Sequence, residues 1–328
     1  MFRMLFVYKQ MLSIGFFKTL FISISKGKKM QEAIEKQFTS TEIRKSILYS
    51  YWCDDHAIGL AFLNKKYNNR LKTLSRAHRW DIYFEENTYN YLPLRGYINQ
   101  YLTKIYFISQ DGIDYCQKRW KCNSKIGVSK LGVKKQIDSN ELRYNNDEIN
   151  IVSCSNLIDV KRVDLIIEAL GLIKDLKINW FHFGDGKKEI QLKQLAKQKL
   201  NQNINANWKG RVSNDEVLIF YKQISPTLFI NVSSSEGIPV SIMEAMSIGI
   251  PCIASNVGGN AEIVTNLNGR IISKNCTPEI IKNAIIEIII SSQDEKNALK
   301  QNAFLTWDKN YNARKNYSGF IEQIDNLS

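Results

Sequence analysis

Residues 227–255 read TLFINVSSSEGIPVSIMEAMSIGIPCIAS and contain two apolar runs on either side of a proline-initiated helical segment. The apolar run Thr227–Val232 predicts a buried strand, and Pro251–Ser255 predicts a second one. Between them, Pro239–Ile248 predicts a helix with proline at the favoured first position. Strand, turn, helix and strand with short connections are typical of a parallel sheet covered by helices. The sequence therefore predicts an α/β protein.

The same alternation continues on the N-terminal side of this stretch. Strands are predicted at Ile149–Cys154 and Ile178–Phe183, and helices at Val160–Lys174 and Asn214–Ile224. A long helix rich in Lys and Gln ends at Leu200. Ligands bind parallel sheets at the carboxyl ends of the strands, so the small-residue turns after these strands are the candidate site.

The first part of the chain shows the same pattern with shorter elements. Strands are predicted at Ile47–Tyr51, Thr73–Arg76, Lys104–Ser109 and Ile126–Leu131, and helices at Asp54–Tyr67 and Asp111–Trp120. A polar segment, residues 134–148, has no apolar period and predicts a linker. The chain is thereby divided into a first domain at 1–133 and a second at 149–305.

Length and composition agree with two domains. The 328 residues are 44% hydrophobic and 23% charged, which excludes disorder, collagen and coiled coil. The net charge of +13 arises within residues 1–140, where 24 Lys and Arg stand against 11 Asp and Glu, whereas residues 141–328 hold 21 of each kind. Such a basic domain is typical of a protein that meets an anionic partner; the alternative is a solvated basic surface.

The cysteines, the histidines and the N-terminal segment bear on three further properties: zinc binding, the redox compartment and membrane insertion. Six cysteines without a CxxC pair and three histidines make no zinc pattern, so a reduced compartment is favoured, with most thiols packed as small hydrophobes. The apolar stretch Met11–Ile24 is interrupted by Lys18 and is too short to span a membrane. It has no small-residue cleavage site and predicts a buried or interfacial amphipathic helix.

Two glutamates and a small-residue turn carry the strongest chemical signal. Free N–H groups at the start of the helix after Ser233–Pro239 suit a phosphate, and Glu236 and Glu244 are acceptors for paired sugar hydroxyls. The alternative is a capped helix with two solvated glutamates. The pair Gly258-Gly259, the run Gly184-Asp185-Gly186 and a lone Lys161 are weaker signals, each also compatible with an ordinary turn or a solvated side chain.

Together these residues resemble a known family. The ordered motifs are SNLIDVKRVDLIIEAL, FHFGDG, WKGRVSNDEV, SSSEGIPVSIMEAMSIGIPCIAS and NVGGNAEIV, within residues 151–273. They resemble the nucleotide-sugar-binding domain of GT-B-fold glycosyltransferases of family 4, the glycosyl transferase group 1. YSYWCDDHAIGLAF, SRAHRWDIYFEE, YFISQDG and VSKLGV are similar to the acceptor domain of bacterial polysaccharide members, and TWDKNYNARKNYSGF to the family's C-terminal helix, here 306–328, which crosses back to that domain.

The resemblance implies two Rossmann-like domains with parallel sheets facing across a cleft, and a retaining, metal-independent sugar transfer from a nucleotide-diphosphate sugar. It implies that Glu244 holds the ribose, Glu236 a hydroxyl of the donor sugar and Lys161 the diphosphate, with His78 near the donor sugar. The other residues implied in donor binding are Gly237, Ile238, Pro239, Asn156, Arg162, Gly184, Gly210 and Arg211.

Two departures from the family pattern bear on these expectations. Asn156 stands where the family usually has an arginine, so phosphate binding is expected to depend more on Lys161 and Arg162. The family's opening strand and glycine-rich loop have no counterpart in residues 1–45, which predicts an incomplete first domain. The missing elements leave an inactive nucleotide-binding remnant as an alternative. A sugar-nucleotide epimerase is a second alternative because it shares the GT-B fold, although the context of Glu236 and Glu244 argues against it.

The charge distribution leads to an expectation about partners. A basic first domain is expected to meet the cytoplasmic face of an anionic membrane, where lipid-linked or glycan acceptors for capsule, O-antigen or exopolysaccharide are found. A cytoplasmic enzyme, peripheral on the inner face of the plasma membrane, follows from this expectation. No recognised module supports nucleic-acid binding.

Overall fold

The computed structural model describes residues 14–120, 122, 125–137 and 148–327. The start of the predicted N-terminal helix and most of the predicted linker lie outside these residues. The chain divides into two compact units. Unit 1 contains the described residues as far as Lys130 and takes up the chain again at Phe320, and unit 2 runs from Leu131 to Gly319.

Unit 2 contains a six-stranded sheet in which every pairing is parallel. Its strands are β5 (Ile149–Cys154), β6 (Ile178–Phe183), β7 (Ile204–Gly210), β8 (Leu228–Asn231), β9 (Cys252–Ser255) and β10 (Gly269–Ile272). Their order is β10-β9-β8-β5-β6-β7, so the chain leaves β5 to one side and returns to its other side at β8. The sheet therefore has a topological switch point between β5 and β8, where ligands of open α/β sheets bind.

Helices cover this sheet, and their apolar side chains pack with those of the strands in two core clusters. They are α7 (Val163–Gly171), α8 (Glu189–Lys199), α9 (Asn214–Ile224), α10 (Val240–Met246), α11 (Asn260–Ile263), α12 (Pro278–Ile290) and α13 (Gln293–Asn310), followed by α14 (Ala313–Asp325), which ends in unit 1. One core cluster centres on Trp180 and Ile167, and the other on Phe229 and Trp307. Burial of strands on both sides explains their continuous apolar runs.

Unit 1 contains a smaller parallel sheet in the order β1-β2-β3-β4. Its strands are β1 (Ile47–Ser50), β2 (Lys72–Ala77), β3 (Lys104–Phe107) and β4 (Ile126–Val128). Its helices are α1 (Ile14–Gln37), α2 (Ser40–Lys45), α3 (Asp55–Lys66), α4 (Arg79–Ile82), α5 (Arg95–Tyr101) and α6 (Gln110–Arg119). Among the helices that the structure describes, none is both long and apolar enough to cross a membrane.

The predicted fold class, two parallel sheets covered by helices, is confirmed. Several element bounds were wrong. The helix predicted at Pro239–Ile248 is α10, whose N-cap is Pro239, and the helix predicted from Val160 begins only at Val163. The reason for the second difference is Arg162, whose left-handed backbone (φ 48°) separates a short 3-10 turn from α7.

Two further features were not predicted. Strand β7 has the polar sequence INANWKG and lies at the sheet edge, so it lacks the apolar run that marks the inner strands. Cys116 and Cys122 form a disulfide, which the expectation of reduced thiols did not include. The four free cysteines, Cys53, Cys154, Cys252 and Cys276, are buried or half-buried, as small hydrophobes are.

Candidate functional site

The switch point of the unit 2 sheet holds an ion pair between a half-buried lysine and a buried glutamate. Lys161 lies in the loop after β5, and Glu236 lies in the loop after β8. The Nζ of Lys161 donates to Oε1 of Glu236 at 2.5 Å. The two residues are 75 positions apart, and parallel pairing of Ile151 with Leu228 brings their loops to the same edge. The pair therefore lies where the topology predicts a ligand.

The Glu236 carboxylate is prepared as an acceptor. Its residue is only 6% exposed, and its Oε1 also accepts from Nδ2 of Asn231 at 3.3 Å. Oδ1 of the same asparagine accepts from the backbone N–H of Ser233 at 3.1 Å, so one amide ties the carboxylate to its own loop. Taking such a charge out of water is costly unless a cation and hydrogen bonds compensate, and Lys161 and Asn231 supply both.

The glycine pair Gly258-Gly259 packs against the backbone of the loop that carries Glu236. Gly258 has φ of +50°, and a Cβ built on it would lie 1.9 Å from the carbonyl oxygen of Glu236. The N–H of Gly259 donates to the carbonyl of Gly237 at 2.7 Å. The weak sequence signal Gly258-Gly259 therefore has a physical explanation: only glycine allows the two loops to approach so closely.

The turn between Glu236 and α10 presents backbone donors. The N–H groups of Gly237 and Ile238 have no acceptor within the part of the chain that the structure describes. Both residues and Pro239 are buried, and α10 begins directly after Pro239. The combination of backbone N–H groups with the ammonium of Lys161 suits a phosphate.

Glu244 is the second buried acceptor of the site. It lies in α10, is 6% exposed, and its Oε1 accepts from Nδ2 of Asn214 at 2.9 Å. Burial raises the pKa of its carboxyl from 4.5 to about 7. The prediction that Glu244 would not be fully solvated agrees with this position.

Arg162 holds the site together through its guanidinium. Nε donates to the carbonyl of Val232 at 2.6 Å, Nη2 to that of Ser233 at 3.2 Å, and Nη1 to that of Lys274 at 3.0 Å. The sequence analysis expected the guanidinium of Arg162 to bind the nucleotide sugar. In the structure its N–H groups are largely used by these backbone carbonyls. Arg162 fixes the start of the loop that carries Glu236.

The remaining predicted residues lie along the same edge of the unit 2 sheet. Asn156 follows β5 and is exposed, and Arg211 follows β7 and is exposed. Gly184, directly after β6, donates its N–H to the carbonyl of Gly210 at 2.8 Å. These residues border the site, and none of them contacts the Lys161–Glu236 pair through a side-chain hydrogen bond among the described residues.

His78 belongs to unit 1, where it follows β2. It is 5% exposed, and neither ring nitrogen makes a hydrogen bond of normal geometry within the described residues. Burial, with Arg76 nearby, lowers the pKa of the imidazole to about 4, so the ring is neutral at pH 7. A histidine in a protein core normally has a hydrogen-bond partner, so the ring nitrogens of His78 are candidates for a hydrogen bond to a ligand.

Two asparagines were missed by sequence reasoning. Asn231 ends β8 just before the serine run, and Asn214 begins α9 within the quoted motif WKGRVSNDEV. Each bonds one of the two glutamates. Their position at element ends beside predicted site residues is the signal that would have found them.

Comparison with known proteins gives the chain a family. The model of the family described as Glycosyl transferases group 1 matches residues 134–306, slightly more than half of the chain. An uncharacterized glycosyltransferase of Methanocaldococcus jannaschii is 30% identical over 204 residues, covering 56% of each chain. The Escherichia coli O-antigen biosynthesis glycosyltransferase WclY is 26% identical over 225 residues, 67% of this chain and 55% of that protein. The chain spans about half the length of the curated relatives it matches.

Solved structures share the fold. A glycosyltransferase from Rickettsia africae superposes with a TM-score of 0.71 at 19% identity, covering 94% of this chain and 82% of that one. An Anabaena protein, HepE, solved in complex with UDP, gives a TM-score of 0.70 at 16% identity, covering 91% and 81%. At these identities the likeness concerns the GT-B fold alone.

Substitution of Arg162 tests its structural role. Arg162→Ala keeps the Cβ in the left-handed region and removes the hydrogen bonds to three carbonyls, so the free energy of unfolding should fall by about 1–3 kcal/mol. Arg162→Gly removes the same bonds but also the left-handed Cβ, so it should be more stable than the alanine variant by about 1 kcal/mol. Urea unfolding followed by circular dichroism measures both. Equal stability of wild type and the alanine variant would contradict the role of these hydrogen bonds, and an alanine variant as stable as the glycine variant would contradict the left-handed backbone at this position.

Substitution of Glu244 tests its raised pKa. Because the folded-state pKa lies above 4.5, the folded protein binds a proton that the unfolded chain releases, and the free energy of unfolding falls as pH rises from 4.5 to about 7. Glu244→Gln keeps the hydrogen bond from Asn214 without this loss. It should match wild type near pH 4.5 and exceed it by about 1–3 kcal/mol at pH 8. A difference independent of pH, measured by urea unfolding at both pH values, would refute the raised pKa.

Proposed function

The chain belongs to the group 1 glycosyl transferases, and we propose that it transfers a sugar, with retention of configuration, from a nucleotide-diphosphate sugar to an acceptor hydroxyl. The observation that carries this proposal is the Lys161–Glu236 pair at the switch point, with the buried acceptor Glu244 on the adjoining helix. We place the chain, as the sequence motifs suggest, in family 4 and in cell-surface polysaccharide synthesis.

Each group of the site has a chemical task in this reaction. The anomeric C–O bond breaks, and its electron pair goes to the leaving diphosphate oxygen. Lys161 and the N–H groups of Gly237 and Ile238 stabilise that charge as it develops. The acceptor oxygen forms the new bond on the same face of the sugar and passes its proton to the departing phosphate oxygen. The proposal therefore needs neither a covalent nucleophile nor a resident metal.

The ion pair links donor binding to the alignment of the donor sugar. In the structure, the ammonium of Lys161 donates to Oε1 of Glu236. A bound diphosphate competes for that ammonium, since phosphate oxygens are strong charged acceptors. Glu236 then gains an acceptor position for a sugar hydroxyl in the same step. Glu244, more than 90% buried, takes the ribose hydroxyls by the same chemistry.

Phosphate binding in this chain relies mainly on Lys161. Asn156 supplies no charge, and Arg162 is already bound to carbonyls of its own unit. The first expectation gave Arg162 a share of the diphosphate. We now propose that it acts by positioning the loop of Glu236.

The names of similar proteins support this assignment at the level of chemistry. The Escherichia coli relative is named for O-antigen biosynthesis, and the Anabaena structure contains UDP. We therefore propose a nucleotide-diphosphate sugar as donor, with uridine diphosphate supported by the Anabaena structure, and a glycan or lipid-linked sugar as acceptor. An inactive nucleotide-binding remnant remains the second candidate, and a sugar-nucleotide epimerase the third.

Nucleotide release from donor sugars tests the proposal directly. The purified full chain, given UDP- and GDP-sugars, should bind the nucleotide and release it from the matching donor. Lys161→Ala should lower kcat by about 10²–10³ because the diphosphate charge loses its cation. Lys193→Ala is the matched control, because Lys193 pairs with Glu189 at 2.6 Å on α8, away from the switch point. It should leave kcat unchanged.

The outcomes separate the three candidates. Nucleotide binding without release from any donor identifies the inactive remnant. Interconversion of one donor sugar into another without an acceptor identifies the epimerase. Equal kcat for wild type and the Lys161 variant would remove the assigned role of the ion pair.

The outer side of α1 supports a second part of the proposal, contact with an anionic membrane. Phe21 and Ile22 are 66% and 43% exposed, and the exposed residues Lys18, Lys28 and Lys29 accompany them. Apolar and basic side chains on one helix surface are typical of peripheral membrane binding. We propose that this surface brings unit 1 to the cytoplasmic leaflet, where a lipid-linked acceptor is presented.

Vesicle sedimentation tests this surface. The full chain should sediment with phosphatidylserine-containing vesicles and much less with pure phosphatidylcholine. Lys28→Glu/Lys29→Glu should reduce binding about tenfold or more, since each basic residue contributes about 1 kcal/mol near an anionic surface. Phe21→Ser/Ile22→Ser should also reduce it. Ile190→Ser removes an apolar side chain that is 76% exposed in unit 2 and should have no effect. Equal binding to both vesicle types would refute the proposal.

A further inference from the structure

Unit 1 exposes a cluster of aromatic rings beside His78. Tyr51, Trp52 and Trp80 are 46%, 38% and 42% exposed, although each is large and mostly apolar. Ring centroids lie 4.2 Å apart for Trp52 and His78, 4.7 Å for Tyr51 and His78, and 5.9 Å for Trp52 and Trp80. We call these four residues the aromatic shelf. An exposed patch of this kind marks an interaction site.

The shelf lies where a parallel sheet binds ligands. Tyr51 and Trp52 follow β1 directly, His78 follows β2, and Trp80 lies in α4. The strands β1 and β2 are parallel neighbours, so their carboxyl ends meet at the same edge. Ligand sites in α/β sheets are found outside that edge.

Buried Asp81 fixes the two loops that carry the shelf. Oδ2 of its fully buried carboxylate accepts from the backbone N–H of Cys53 at 2.7 Å, and Oδ1 accepts from that of His78. Since Cys53 follows Trp52 in the chain, one carboxylate sets the indole against the imidazole. The Oγ of Ser75 on β2 adds a hydrogen bond to the carbonyl of Trp52 at 3.2 Å. The rings are therefore held in place before any ligand arrives.

His78 gives the shelf a polar component. The residue is 95% buried, yet neither ring nitrogen makes a hydrogen bond of normal geometry in the described parts of the chain. A buried polar group without such a partner is costly, so its retention points to a ligand that supplies the missing hydrogen bond.

We propose that the aromatic shelf binds one sugar ring of the acceptor. A pyranose presents C–H groups on its face, which pack against aromatic rings, and hydroxyls at its edge, which can bond the imidazole. An alkyl chain would cover the rings but would leave the nitrogens of His78 unpaired. The inference rests on the proposed function, since it identifies the acceptor as a glycan or a glycosylated lipid and not as a simple alcohol.

Ligand-observed saturation-transfer NMR on the full chain tests the shelf. The probes are methyl glycosides of glucose, galactose, mannose and N-acetylglucosamine, with cellobiose and lactose; irradiation falls on the protein's aromatic protons. At least one probe should receive saturation on its C–H protons. Trp52→Ala and Trp80→Ala should each weaken its binding about tenfold, and Trp52→Phe should weaken it less. Phe38→Ala, a control in the same unit with a ring that is 45% exposed, should bind the sugar as wild type does.

The affinity for UDP, measured in parallel by calorimetry, separates this inference from the proposed function. UDP should bind wild type and all four variants equally, because the shelf belongs to unit 1. UDP binding with no bound sugar in the panel would overturn the shelf and leave the function standing. Sugar binding without any nucleotide binding would overturn the function alone. Wild-type sugar affinity in both alanine variants would also overturn the shelf. Octyl glycosides of the same sugars are a further control: binding of these alone, whatever the sugar, would show that the rings bind an alkyl chain and would overturn the shelf as well.

Discussion

The site of unit 2 depends on one contact, the ion pair between Lys161 and Glu236. These residues meet at 2.5 Å because the chain starts its sheet at β5, builds to one side, and returns to the other side at β8. Without that reversal the loops after β5 and β8 would not be neighbours. The sheet order therefore places the ion pair at the edge where ligands of open α/β sheets bind.

Much of the surrounding structure compensates for the cost of this contact. Arg162 ties down the carbonyls at the start of the loop, Gly258 allows a second loop to lie against it, and Asn231 holds the carboxylate. Glu244 is left with a pKa near 7, which means that the fold loses stability at neutral pH by keeping a carboxylate there. Polar groups retained at such a cost are typical of a site shaped for a ligand and not for stability.

The sequence predicted those parts of the fold that have local signals. The buried strand at 228–231 and the turn that follows it are visible as an apolar run and a proline, and the two glutamates stand out beside them. Strand β7 has no continuous apolar run: its sequence INANWKG alternates apolar and polar residues, the pattern of a half-buried edge strand, which a criterion of apolar runs does not detect. The role of Arg162 could not be predicted, since the carbonyls it bonds lie 70 to 112 residues further along the chain. Only the tertiary structure shows that its donors are already used.

The charge balance of the second half of the chain agrees with the pairing of charges at the candidate site of unit 2. Residues 141–328 balance 21 basic with 21 acidic residues. At the site, Lys161 is paired with Glu236, and Arg162 donates to three backbone carbonyls. In the proposed reaction, a diphosphate therefore meets a lysine that is already paired and must displace its carboxylate partner. Such an exchange favours a ligand that satisfies both freed groups at once, because any other leaves one of them unpaired and buried. Under the proposed function, a nucleotide joined to a sugar does so, whereas free phosphate satisfies Lys161 alone. That proposal therefore implies that pairing the charges in advance favours the intact donor over free phosphate.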